Sequence, residues 1–114
     1  MDAALKGRLA KLKMTGDCCA DLPGVLRAAR DRPGLEDARR RYEALADPSR
    51  LLVVAMLDAQ PDLCGCELQA ALRLSHATVS HHMRILEDAG LVVGERRGKW
   101  MHYQLTPTAT RLLP

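Results

Sequence analysis

Asp47-Pro48, Gln60-Pro61, Ser75 and Gly90 punctuate the middle of this chain at intervals that suit short helices and nothing longer. Upstream, Leu35, Ala38, Tyr42 and Leu45 recur three and four apart, the spacing of one helical face. Asp47 is a good N-cap and Pro48 a good first-turn residue, so a second helix starts there, with Leu51, Leu52, Val54, Ala55 and Leu57. A third begins near Asp62 and carries Cys64, Cys66, Leu68, Ala71 and Leu72. Ser75 caps a fourth, whose Val79, Met83 and Leu86 fall on one stripe, and Gly90 ends it. Beyond it, 91–93 and 100–105 are strand-like runs flanking Gly94-Glu95-Arg96-Arg97-Gly98, which predicts a β-hairpin with a basic tip. Thr106 and Pro107 open one last short helical turn. The order predicts a mainly α fold with a small β-hairpin, a winged helix-turn-helix of pattern α-α-α-α-β-β with a short C-terminal helix.

With 114 residues the chain is one domain with a terminal arm. We place the arm at 1–34, carrying Cys18-Cys19, and the DNA-binding domain at 35–114. Within the arm, Gly16, Pro23, Pro33 and Gly34 leave room for a short helix between the two prolines. Residues 1–14 are either a basic amphipathic turn or an extension upstream of Met14. The core must be aliphatic, since Phe is absent. Domains of this size bury a limited share of their surface, which favours a dimer. The net charge of +3 is compatible with nucleic acid without being diagnostic of it. No apolar run approaches the roughly 20 residues needed to cross a bilayer, so no membrane is expected. The first residues lack the apolar core of a signal peptide. A cytoplasmic location follows as the default, and there clustered thiols signal metal or redox chemistry.

If Val79, Met83 and Leu86 face the core, helical geometry puts Ala77, Ser80, His81, Arg84 and Asp88 on the opposite side. With His76 and Thr78 in the first turn, these short, polar or cationic side chains suit base edges in a major groove. Arg96, Arg97 and Lys99 on the hairpin are the candidate phosphate clamps. The bland alternative is a solvated helix face and a solvated turn. His82 lies nearer the apolar side and reads as a packed, hydrogen-bonded histidine.

Ala44-Leu45-Ala46-Asp47-Pro48-Ser49-Arg50-Leu51, Leu63-Cys64-Gly65-Cys66-Glu67-Leu68, the stretch from Ser75 to Leu86, and Gly98-Lys99-Trp100-Met101-His102-Tyr103 together resemble the ArsR/SmtB family of metalloregulatory repressors. The resemblance covers roughly 35–105. It implies a homodimer that binds a palindromic operator in double-stranded DNA when metal-free and lets go when metal binds. It also implies a recognition helix at 75–89 and a wing at 91–105.

Thiolates are soft ligands that select As(III), Sb(III), Cd(II), Pb(II), Zn(II) and Cu(I) over hard ions. The four cysteines form two pairs, Cys18-Cys19 and Cys64/Cys66. The second pair falls in the first turn of the third helix, where the dipole favours thiolate. Neighbours two apart on a regular helix point about 200° away from each other. Metal capture is therefore expected either to unwind that turn, with Gly65 lowering the cost, or to use one thiol of the two. A disulfide between Cys64 and Cys66 is expected to be badly strained. The arm pair can fold across, within a subunit or between two, and complete a site of Cys18, Cys19, Cys64 and Cys66.

The Cys-Cys arm and the Gly-Lys-Trp-Met-His-Tyr wing resemble the arsenic-responsive branch, which implies As(III) or Sb(III) as inducer. Gly65 departs from the Val or similar residue of arsenic-type members. The tail after Leu105 holds no His, Asp or Glu, so the second metal site of the family's zinc sensors is not expected. That short tail shifts dimer contacts toward the N-terminal segment and first helix. The nearest rival is the same machine tuned to Cd(II), Pb(II) or Zn(II). A redox-sensing repressor, with an arm cysteine bonded to Cys64 or Cys66, is a second class. Without a Cys-x-x-Cys, phosphate loop or carboxylate pair, an enzyme is not expected.

Overall fold

The computed structural model describes residues 4, 8 and 21–114. The chain divides into two units, 1–35 and 36–114. In the first, helix α1 (Leu22–Arg30) has Pro at its first turn and ends before Asp31. It fills the interval between Pro23 and Pro33 where a short helix was expected.

The second unit is built from α2 (Leu35–Leu45), α3 (Pro48–Ala59), β1 (Leu63–Cys64), α4 (Gly65–Leu72), α5 (His76–Asp88), β2 (Val92–Arg97), β3 (Trp100–Leu105) and α6 (Pro107–Leu112). The caps are the ones the sequence advertises. Asp47 accepts from the N–H groups of Ser49 and Arg50, Ser75 from Thr78, and Thr106 from Ala109. Gly90 takes a left-handed φ of 74°, which stops α5 at no steric cost. The turn between α4 and α5 depends on Arg73, whose φ of 56° is unusual for a residue with a side chain.

Two boundaries differ from expectation. The third helix starts at Gly65, not near Asp62, because Leu63 and Cys64 pair with β3 as a third strand. The sheet order is β1-β3-β2, all antiparallel, with Leu63 opposite Tyr103 and Cys64 opposite His102. The wing also pairs further out than expected, to Arg97 opposite Trp100. Gly98, at φ 63°, supplies the left-handed first position of a two-residue loop, so only Gly98 and Lys99 form the tip.

The core is aliphatic. Val53, Val54, Leu57, Leu68, Met83, Leu86 and Leu91 are fully buried, joined by Val79, Val92 and Tyr103. The stripe Val79-Met83-Leu86 is the buried side of α5. Thr106 hydrogen-bonds the carbonyls of Gly90 and Leu91, pinning the base of the wing to the end of α5.

Candidate thiol site and nucleic-acid interface

Cys64 stands outside the helix. It closes β1 and acts as the N-cap of α4 with extended backbone, φ −86° and ψ 160°. Cys66 is one residue inside the helix. Their Cα atoms are 5.4 Å apart and their sulfurs are joined. The expected divergence of the two side chains is therefore corrected: it assumed two positions on one regular helix, whereas the bend from strand to helix turns the sulfurs toward each other. No unwinding of α4 is required. Gly65 is not required either, since a Cβ there would meet only the Met101 carbonyl at an ordinary 3.9 Å. Glu67 fixes the bend by accepting from the Cys64 N–H at 3.1 Å.

In reduced form these sulfurs are adjacent soft donors, the chemistry a thiophilic ion demands. Among the described residues no group of three or more His, Cys, Asp or Glu is placed to hold an ion. A trigonal or tetrahedral centre here thus takes further donors from elsewhere in the chain or from a second copy. The expected partners Cys18 and Cys19 lie outside the described residues.

Next to the thiols is a charged cluster that sequence reasoning missed. Asp62 Oδ2 accepts from Arg97 Nη1 at 2.6 Å, and Asp62 Oδ1 from His102 Nδ1 at 3.1 Å. Since a carboxylate only accepts, His102 carries its proton on Nδ1. Arg97 also donates to Glu95 at 3.1 Å. The Arg97 guanidinium, helped by His102, holds the Asp62 carboxyl below the usual carboxylate range against partial desolvation. The cluster arises because β1 lies beside β3, which carries His102, and β3 beside β2, which carries Arg97. No local spacing in the sequence reveals it.

On α5, His76, Ala77, Thr78, His81 and Arg84 are exposed and Ser80 is half-buried. Two of them are already engaged: His76 Nδ1 accepts from Gln69 Nε2 at 3.2 Å, and Thr78 Oγ1 from the Ser75 hydroxyl at 3.0 Å. His82 is half-buried, its Nδ1 accepting from Arg50 at 3.2 Å. Arg50 also donates to the Ala44 carbonyl at 2.7 Å, which ties α2, α3 and α5 together. The three candidate phosphate clamps are not equivalent. Among the described residues Arg84, Arg96 and Lys99 hold no ion pair, whereas Arg97 holds two.

A helix-turn-helix followed by a three-stranded wing has counterparts among known proteins. Residues 47–93 match the pattern of the bacterial regulatory protein, arsR family. The arsenical resistance operon repressor of Escherichia coli (strain K12) is 39% identical over 66 residues, 58% of this chain and 56% of that protein. The putative arsenical resistance operon repressor ArsR of Halobacterium salinarum is 37% identical over 89 residues, 77% of this chain and 69% of that protein. The chain belongs to the ArsR family. That places it among DNA-binding regulatory proteins and not among enzymes. A cadmium resistance regulatory protein CadC homolog from Staphylococcus aureus is 32% identical over 69 residues, 60% of this chain and 57% of that protein. Among solved structures, a homodimeric winged helix-turn-helix DNA-binding domain of a possible ArsR-family regulator from Mycobacterium bovis superposes with a TM-score of 0.64 at 28% identity, covering 72% of this chain and 78% of that one. The match spans little more than half of the E. coli repressor's length. Among the described residues no helix is long and apolar enough to cross a membrane.

Proposed function

We propose that this ArsR-family chain is a homodimeric transcriptional repressor that occupies a palindromic operator when metal-free and leaves it when its thiolates capture As(III) or Sb(III). The observation that carries the reading is the convergence of the Cys64 and Cys66 sulfurs at the start of the helix-turn-helix, where Cys64 closes a strand hydrogen-bonded to the wing. Cys18 or Cys19 supplies the remaining sulfur, so that three thiolates surround the metalloid. His76, Ala77, Thr78, Ser80, His81 and Arg84 read the major groove, while Arg96, Lys99 and Arg97 meet phosphates. The arsenical-resistance names of the relatives support the inducer class. The homodimeric M. bovis domain supports the assembly, as do Tyr42, Leu51 and Leu52, which expose apolar surface on α2 and α3.

The test is an operator-binding titration in reducing buffer with As(III), Cd(II) and Zn(II), repeated with each cysteine changed to Ser. As(III) should release the wild type, and Cys64→Ser or Cys66→Ser should abolish release while leaving metal-free binding intact. Retention of the operator under saturating As(III) would refute the reading.

The same machine tuned to Cd(II), Pb(II) or Zn(II) is the second reading, supported by the CadC homolog. X-ray absorption separates the two: three sulfurs around As(III), four ligands around Zn or Cd. A redox-sensing repressor, with an arm cysteine bonded to Cys64 or Cys66, is a third. Full operator release by peroxide in metal-free buffer would favour it.

A further inference from the structure

Asp62 precedes the strand that presents Cys64, and its carboxylate holds Arg97 from across the sheet. We infer that Asp62 is a positioning residue that couples the thiol pair to the wing, competing with DNA phosphate for Arg97 when the Cys64 and Cys66 sulfurs are gathered. The inference rests on the proposed repressor reading.

Three observations carry it. First, the sulfurs are together and Arg97 is held by Asp62 and Glu95 in the same structure. Second, Asp62 has no freedom to ignore a movement of Cys64. The next two residues are locked in register against Tyr103 and His102, and His102 also grips the Asp62 carboxylate. Third, Nη1 of Arg97 donates to Asp62 and Nη2 to Glu95, so the two nitrogens that would together clamp a phosphate are each turned toward a different carboxylate. Arg97 and Asp62 are about two-fifths exposed, so this competition is a shallow one that DNA phosphate can win. A shallow competition is what a switch needs: a small shift at the bend decides which partner takes the guanidinium.

A physical connection from the thiols to a cation of the wing runs through β1, Asp62 and Arg97.

The experiment uses the full chain and a fluorescent operator duplex. Asp62→Asn is compared with wild type, Asp62→Glu and the double variant Asp62→Asn/Arg97→Gln. As(III) loading is followed separately through sulfur-to-arsenic absorption, and folding through thermal melts. Asp62→Asn should load As(III) like wild type yet lose most of the As(III)-driven fall in operator affinity, a fall of about 5–150-fold for an ordinary coupled site. Without As(III) it should bind much as wild type does, and with As(III) its salt dependence should be steeper than wild type's by up to about 0.9, one phosphate contact. Asp62→Glu should restore wild-type behaviour, and the double variant should erase the gain. Full As(III)-driven release by Asp62→Asn, or an As(III)-loaded salt slope identical to wild type, overturns the inference. Should wild type itself hold its operator under As(III), the repressor reading falls. The salt slopes of Asp62→Asn and wild type with the Cys64–Cys66 bond formed then still decide whether Asp62 withholds Arg97.

Discussion

The basic residues of the wing carry the same formal charge and have different partners. Arg96 and Lys99 project from a strand end and a two-residue loop with no ion pair among the described residues, whereas Arg97 is shared between Asp62 and Glu95. Arg96→Gln or Lys99→Gln should each weaken operator binding and reduce the salt slope by about 0.9. With the Cys64–Cys66 bond formed Arg97→Gln should do so by clearly less, and an effect as large as that of Arg96→Gln would show Arg97 to be fully on the DNA. Asp47 offers a second residue-level test. The N–H of Arg50, and then that of Ser49, hold its carboxyl below the ordinary carboxylate range. Its cap therefore contributes fully above pH of about 4, the unfolded value, and the contribution fades as pH falls through the lowered folded value. Asn caps without titrating, so the melting-temperature advantage of wild type over Asp47→Asn should shrink steadily in acid. An advantage constant from neutral pH to pH 2 would contradict that account.

At the scale of elements, what was legible in the sequence is what is local. Asp47, Ser75, Gly90 and Thr106 each act on backbone within four residues, and each marks a boundary where the structure has one. Leu63-Cys64 was read as helix because a two-residue strand has no period of its own. It exists only because Tyr103 and His102, far along the chain, offer it a partner. The candidate thiol site was legible as two sulfurs at the right place. Its geometry was not, since one residue's shift from helix to strand reverses where Cys64 points. The Arg73 turn was equally invisible, because nothing in Leu72-Arg73-Leu74 announces a left-handed residue. With φ at 56°, Arg73→Gly should raise stability by roughly 0.5–1 kcal/mol, the relief of the left-handed strain less the extra chain entropy of Gly. Chemical denaturation measures it. A loss would mean that the Arg73 side chain makes a contact worth more than the strain. Ser75→Ala, by contrast, should cost about 1 kcal/mol through the lost cap on α5.

In the second unit as a whole, one aliphatic cluster supports both α5 and the wing. Met83 and Leu86 from α5 share it with Leu91 and Val92 at the wing's base and with Leu68 from α4. Leu86→Ala should destabilise by about 2–5 kcal/mol and lower operator affinity only in proportion to the unfolded fraction. A loss of DNA binding with stability intact would mean that Leu86 sets the pose of α5 and does not merely fill space.

The placement of β3 between β2 and β1 has its own consequence for how such a protein stays soluble while it works. A middle strand has both its hydrogen-bonding flanks covered, and β1, only two residues long, is the whole cover on one of them. Peeling β1 off would bare the backbone at His102 and Tyr103, a sticky rim that invites another chain to add a strand. A signal passed by exchanging the partners of side chains, as proposed for Arg97, would leave that rim shielded at His102 and Tyr103.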